Sequence, residues 1–219
     1  SLFGTLGITS KTAMAAEAVS DEGWIDAHTH VWTPDTERYP LATGFRREDM
    51  QPRSFTLDEF FRNARPAGVT QAVLIQMSYY GFDNSYLLEC LSEKKGACAG
   101  VAVIDETAPL PAAEMRRLAE RGVRGFRIAP RDQPLDRWLE GTGMTAMWRC
   151  AAEARWAMCL LINPEALPAL DKMCARHPET PVVIDHFARI GMDGTVRGQD
   201  VDRLCALARH QQTNVRVSA

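Results

Sequence analysis

Two histidines, His28 and His30, stand one residue apart in the run Ile25-Asp-Ala-His-Thr-His-Val-Trp32, which has the apolar, β-branched character of a strand. Residues two apart in a strand face the same side, so their imidazoles converge. A third, His186, closes another apolar run, Pro181-Val-Val-Ile-Asp-His186. Three imidazoles at strand ends can ligate a divalent ion or polarise a carbonyl oxygen, and the residues leave both readings open. In Val123-Arg-Gly-Phe-Arg127, Arg124 and Arg127 point to opposite faces, and Arg127 is the candidate for gripping a carboxylate or hydroxyl. Gln76, Tyr80 and Asp83 follow a further apolar run and are candidates for lining a pocket, although Asp83 and Asn84 equally suit the cap of the helix after them. His177 and His210 fall at helix ends, where solvated histidines favour the C-terminal dipole.

These groups need strands to aim them. The strand candidates are Trp24–Val31, Thr70–Met77, Ala97–Ile104, Val123–Ile128, Ala157–Ile162, Pro181–Asp185 and Asn214–Val217. Most are near-continuous apolar runs, as expected of parallel strands covered on both faces. Between them lie helix candidates at Leu57–Ala64, Tyr86–Lys94, Ala112–Arg121, Ala146–Ala154, Glu165–Arg176 and Val201–Arg209, several opened by Thr, Asp, Asn or Pro. Seven strands alternating with six helices fit an incomplete (β/α)₈ barrel lacking strand eight, or an open doubly wound sheet. A dinucleotide fold loses support because no G-x-G-x-x-G follows the first strand. The chain also lacks a G-x-S-x-G elbow and a P-loop, which removes the main support for serine-hydrolase and nucleoside-triphosphatase readings. The loop from Thr33 to Phe55 carries Arg46, Arg47 and Arg53, read as a solvated face.

With 219 residues, 46% hydrophobic and 24% charged, the chain has the composition of a folded globular domain. Its net charge of −3 argues against nucleic acid as a partner. The six cysteines form no C-x-x-C pair and read as mostly buried free thiols. No run of about 20 apolar residues is present to span a membrane. Residues 1–20, with Ala13-Met-Ala15 and Ala16-Glu-Ala18, resemble the back half of an export signal or a flexible leader, leaving one domain over 21–219. An exported or periplasmic location follows from the first of these, a cytoplasmic one from the second.

Several segments, in order, resemble the amidohydrolase superfamily, and within it the amidohydrolase-related (amidohydrolase 2) group that contains 2-pyrone-4,6-dicarboxylate lactonases and sugar lactonases. They are Ile25–Trp32 followed by Tyr39-Pro40, Val73–Gln76 followed by Gly81–Leu88, Gly122–Arg127, and Pro181–His186 with Arg189. The resemblance runs from about Trp24 to Ala219. It implies a (β/α)₈ barrel hydrolysing a ring ester, with His28, His30 and His186 around the carbonyl; Arg127 and Arg189 are the candidates for holding substrate oxygens. The same three histidines are the implied ligands if one divalent ion, zinc or manganese, is bound. Metal-binding members often carry a further His at the end of strand five, where this chain has Asn163, a poor ligand for a transition metal. The family's water-activating Asp belongs to strand eight, and the chain ends in what reads as strand seven. The expectation is therefore a truncated barrel with two open edges, inactive alone and prone to associate. Two rivals are a metal-dependent decarboxylase of the same superfamily and an inactive exported barrel that binds a small molecule.

Overall fold

In a computed structural model, residues 23–131 and 133–217 are described; the leader over 1–20 lies outside them. Among these residues seven strands form one sheet: β1 (Trp24–Thr29), β2 (Val69–Ile75), β3 (Cys98–Val103), β4 (Val123–Ile128), β5 (Ala157–Leu160), β6 (Val182–Ile184) and β7 (Thr213–Val215). All pairings are parallel and the strands lie in sequence order, with β1 and β7 at the edges. The connections carry α1 (Leu57–Ala64), α2 (Ser85–Glu93), α3 (Pro111–Ala119), α4 (Thr142–Ala154), α5 (Leu167–Arg176) and α6 (Gly198–Ala206). This is an incomplete (β/α)₈ barrel, and the strictly sequential strand order sets aside the open doubly wound sheet that the alternation of runs also allowed.

The strands read as continuous apolar runs because both faces are covered. Ala72, Leu74, Phe126, Met158, Leu160 and Ile184 pack outward against the helices in the main core. Residues of the opposite parity, Val73, Ile75, Val101, Ala157, Cys159 and Val183, form a smaller apolar cluster on the inner face. Above that apolar floor, residues of the same parity are polar. On β4 and β6, Arg127 lies two residues beyond Gly125 and Asp185 two beyond Val183, at the C-terminal ends of their strands.

Local signals set most helix starts. Thr56 caps α1 by accepting from Glu59 N at 3.3 Å while the Glu59 carboxylate accepts from Thr56 N at 2.6 Å. Prolines stand in the first turn of α3 and of the short 3₁₀ turn Pro164–Ala166 before α5. The expected start of the fourth helix at Ala146 is late, because α4 begins at Thr142. A Cβ on Gly143 would lie 1.9 Å from the Glu106 carbonyl oxygen, so glycine lets the first turn of α4 press on the β3–α3 loop. Glycine serves a packing need there, which local propensity reads as a helix breaker. The sixth helix likewise starts earlier than Val201, at Gly198, and passes into a 3₁₀ turn over Leu207–Arg209.

Five of the six free cysteines are buried or half-buried, and Cys205 is exposed. His177 and His210 are not the solvated helix ends expected. His177 caps α5 beside the Trp148 ring, and its Nε2 is buried. His210 Nε2 lies 2.8 Å from Asp171 Oδ1, and Asp171 also pairs with Arg209. No helix among the described residues is long and apolar enough to cross a membrane.

Candidate active site

At the C-terminal ends of β1, β4 and β6, and just past β7, four polar side chains close a ring. The buried Asp185 carboxylate accepts from Arg127 Nη2 through Oδ2 and from Arg216 Nη1 through Oδ1, each at 2.9 Å. The same two nitrogens face the His28 ring: Arg127 Nη2 is 3.1 Å from Nε2, and Arg216 Nη1 is 2.5 Å from Nδ1. Each Nη carries two hydrogens, so each guanidinium can serve carboxylate and imidazole together. Arg216 is held by its backbone, which donates to Ile184 O at 2.8 Å and extends the β6–β7 pairing by one residue.

His28 and His30 are neutral in this setting. Burial pushes His28 down to about 3, helped by Arg127 and Arg216, and burial followed by Arg127 pushes His30 down to about 4. Burial also lowers Arg127, with Asp185 opposing the shift. A neutral imidazole has one accepting nitrogen, and a guanidinium only donates. Hence one of the two arginine N–H groups aimed at His28 finds no lone pair there. Arg127 Nε is a further buried donor with no acceptor among the described residues. His30 Nδ1 lies 3.0 Å from Ile75 O, and a carbonyl only accepts, so Nδ1 bears the proton and Nε2 is the accepting atom.

His186 enters by an unusual route. Strand alternation turns it away from the face that Asp185 occupies, but residues 186–189 all adopt left-handed backbone, with φ of 54°, 52°, 53° and 56°. That turn sets its ring centroid 4.8 Å from His28, while His28 and His30 are 5.2 Å apart. Non-glycine residues resist this region, so the turn stores strain beside the site.

The structure therefore gathers His28, His30, His186 and Arg127. Arg189 stands at the end of the left-handed turn, 3.4 Å from Asn163 Oδ1, beside a cavity of about 300 Å³ that both residues line. Each of the remaining candidates hydrogen-bonds to backbone. Gln76 Nε2 donates to Asp83 O at 2.6 Å, Tyr80 accepts from Thr33 N at 3.0 Å, and Asp83 accepts from Ser85 N at 2.9 Å at the start of α2. Asp83 thus bonds the first residue of α2, whose N-cap Asn84 makes no side-chain cap of its own.

Sequence reasoning passed over Asp185 and Arg216. Parity could have flagged the first, two residues beyond Val183 on the inner face. The second is the only charged residue in the strand candidate Asn214–Val217.

A divalent ion does not fit these donors as arranged. Both His28 nitrogens face cationic groups, and no set of three His, Cys, Asp or Glu among the described residues is placed to hold a metal.

An ordered parallel β/α sheet with its polar cluster at the C-terminal strand ends is the plan of a (β/α)₈ enzyme barrel. The chain belongs to the amidohydrolase family, whose sequence model matches residues 25–219. It is 27% identical over 184 residues to a 4-sulfomuconolactone hydrolase of Rhizobium radiobacter, covering 84% of this chain and 59% of that one. It is 26% identical over 170 residues to a 2-pyrone-4,6-dicarboxylate hydrolase of Comamonas testosteroni, covering 76% and 52%. The chain thus spans between half and three-fifths of the length of these curated relatives. A solved structure of a probable 2-pyrone-4,6-dicarboxylic acid hydrolase from Acinetobacter baumannii, with citric acid bound, has the same fold at a TM-score of 0.75. Its identity is 24%, covering 89% of this chain and 70% of that one. Zinc and manganese occur in other solved structures of this fold.

Proposed function

We propose that the protein carrying this chain hydrolyses a small, oxygen-rich lactone bearing an acid group. The observation that supports this is the ring of Asp185, Arg127, His28 and Arg216. Two guanidiniums against one carboxylate leave a net charge of +1, and one N–H aimed at His28 lacks an acceptor. A carbonyl oxygen gaining negative charge as water adds to it is the acceptor such a site suits. Arg127 and Arg216 hold that oxygen, and Arg189, at the edge of the neighbouring cavity, holds a second substrate oxygen. His30, neutral at pH 7 and accepting through Nε2, orients the attacking water, and His186 bounds the same space beside His28. The names of the curated relatives, a sulfomuconolactone hydrolase and a pyrone-dicarboxylate hydrolase, point to the same substrate class.

The test pairs lactones with and without a carboxylate and measures kcat/KM on the whole protein and on Arg127→Met. The reading expects the acid-bearing member of each pair to be preferred and the variant to lose at least about 10²-fold. Equal rates on both members, or release of CO₂ from aromatic acids in place of ring opening, would reject it. We also infer a leader over residues 1–20, an export-signal remnant or a flexible segment, and one domain over 21–219, with export following if the leader is a signal. Recovery of the protein only from the cytoplasmic fraction would contradict the export assignment.

A further inference from the structure

We propose that Asp185 is the positioning residue of this site: its carboxylate fixes Arg127 and Arg216 on either side of the His28 ring without itself meeting substrate. The side chain is 0% exposed, so a ligand entering at the strand ends does not reach it. Its two oxygens are divided between the arginines, Oδ2 to Arg127 and Oδ1 to Arg216, both at 2.9 Å. The two arginines come from opposite sides of β5 and β6, one on β4 and one past β7, and like charges so placed would separate without an anion between them. The nitrogens that Asp185 holds are the same Nη atoms that face His28. Fixing them at the carboxylate therefore fixes the direction of their second N–H bonds, the ones that meet imidazole or ligand oxygen.

An ordinary structural ion pair has no such second target. Asp171, before the N-terminal end of β6, shows the contrast: it binds Arg209 and His210, which tie the chain ahead of β7 to α5, and the second partner there is another group on the carboxylate itself. Asp185 also sits where β6 gives way to the left-handed turn, so its backbone position is set by the β6 pairing on one side and by the strained turn on the other.

The role predicts a split between binding and turnover. Asp185→Asn removes one negative charge and raises the net charge of the ring from +1 to +2. Anions then bind more tightly, while the guanidiniums lose their fixed direction. Asp185→Glu keeps the charge but displaces the carboxylate by one methylene. The test uses the whole protein, with kinetics on an acid-bearing lactone and calorimetric binding of isophthalate, a planar dicarboxylate with no ester to open. For Asp185→Asn we expect kcat to fall at least about 30-fold and the isophthalate Kd to tighten about threefold to tenfold. For Asp185→Glu we expect kcat to fall at least about tenfold with the Kd unchanged within about twofold.

Parental kcat in Asp185→Glu would overturn the proposal, since a residue that only balances charge tolerates that change. Unchanged or weaker isophthalate binding by folded Asp185→Asn would also overturn it. Should Asp185→Asn fail to fold, the Asp185→Glu kinetics decide alone. Only the kinetic arm rests on the lactonase reading. If the parent opens no lactone, that reading fails, and unchanged or weaker isophthalate binding by folded Asp185→Asn still overturns the role of Asp185.

Discussion

Burying His28 and His30 as neutral rings ties the stability of this fold to pH. Their values are pushed from the ordinary 6.5 down to about 3 and about 4 by burial and by neighbouring guanidiniums. The folded values lie below the unfolded one, so the unfolded chain binds more protons as pH falls. The stabilisation is therefore full above about pH 6.5 and declines below it. At pH 5 an unfolded imidazole is almost wholly protonated while both folded rings are still neutral, and about 1.4 kcal/mol for each pH unit below 6.5 makes the loss about 2 kcal/mol per ring. The pair loses about 4 kcal/mol between pH 7.5 and 5, a large share of the roughly 5–15 kcal/mol that holds an ordinary domain folded. Urea unfolding of the whole protein at the two pH values, beside His28→Asn, His30→Asn and the double variant, reads this directly. Each single variant should flatten the pH dependence by about 2 kcal/mol and the double variant by about 4. Equal loss of stability in parent and double variant would refute this linkage, because the rings would then titrate alike folded and unfolded.

Three further substitutions probe particular contacts. Arg189→Gly releases one left-handed residue at φ 56° and should stabilise the fold by about 1 kcal/mol, raising Tm by about 2–4 °C, while weakening substrate binding. Differential scanning calorimetry and KM measure the two effects. Gly143→Ala sets a methyl against the Glu106 carbonyl and should cost at least about 2 kcal/mol in urea unfolding. Arg216→Met leaves Arg127 and Asp185 as a balanced pair, so the fold should survive while kcat/KM falls about 10²–10³-fold.

The sheet was legible in the sequence because parallel strands covered on both faces leave apolar runs that neither loops nor amphipathic helices imitate. All seven strands fall within three residues of the expected runs, and β4 coincides with Val123–Ile128. The convergence of His28 and His30 followed from alternation alone. His186 was found as a motif residue, but the left-handed turn that delivers it has no signature in His-Phe-Ala-Arg, which contains neither Gly nor Asn. Asp185 and Arg216 were missed for a different reason. Their pairing joins β4, β6 and the end of β7, and nothing in one strand announces a partner on another. Gln76 and Tyr80, chosen as polar groups near a strand end, hydrogen-bond to the backbone of adjacent loops, contacts that a single run of residues does not announce.

The central claim is that neutral imidazoles and two anchored guanidiniums do the work at this site. The most direct test strips the whole protein with a chelator, measures residual metal, and assays an acid-bearing lactone before and after. Hydrolysis by the metal-free protein should stay unchanged within about twofold, since Arg127 and Arg216 supply the stabilising charge. Activity lost on chelation and restored by zinc or manganese would contradict it, and would mean that the His28 ring leaves its arginines to join His30 and His186 as metal ligands.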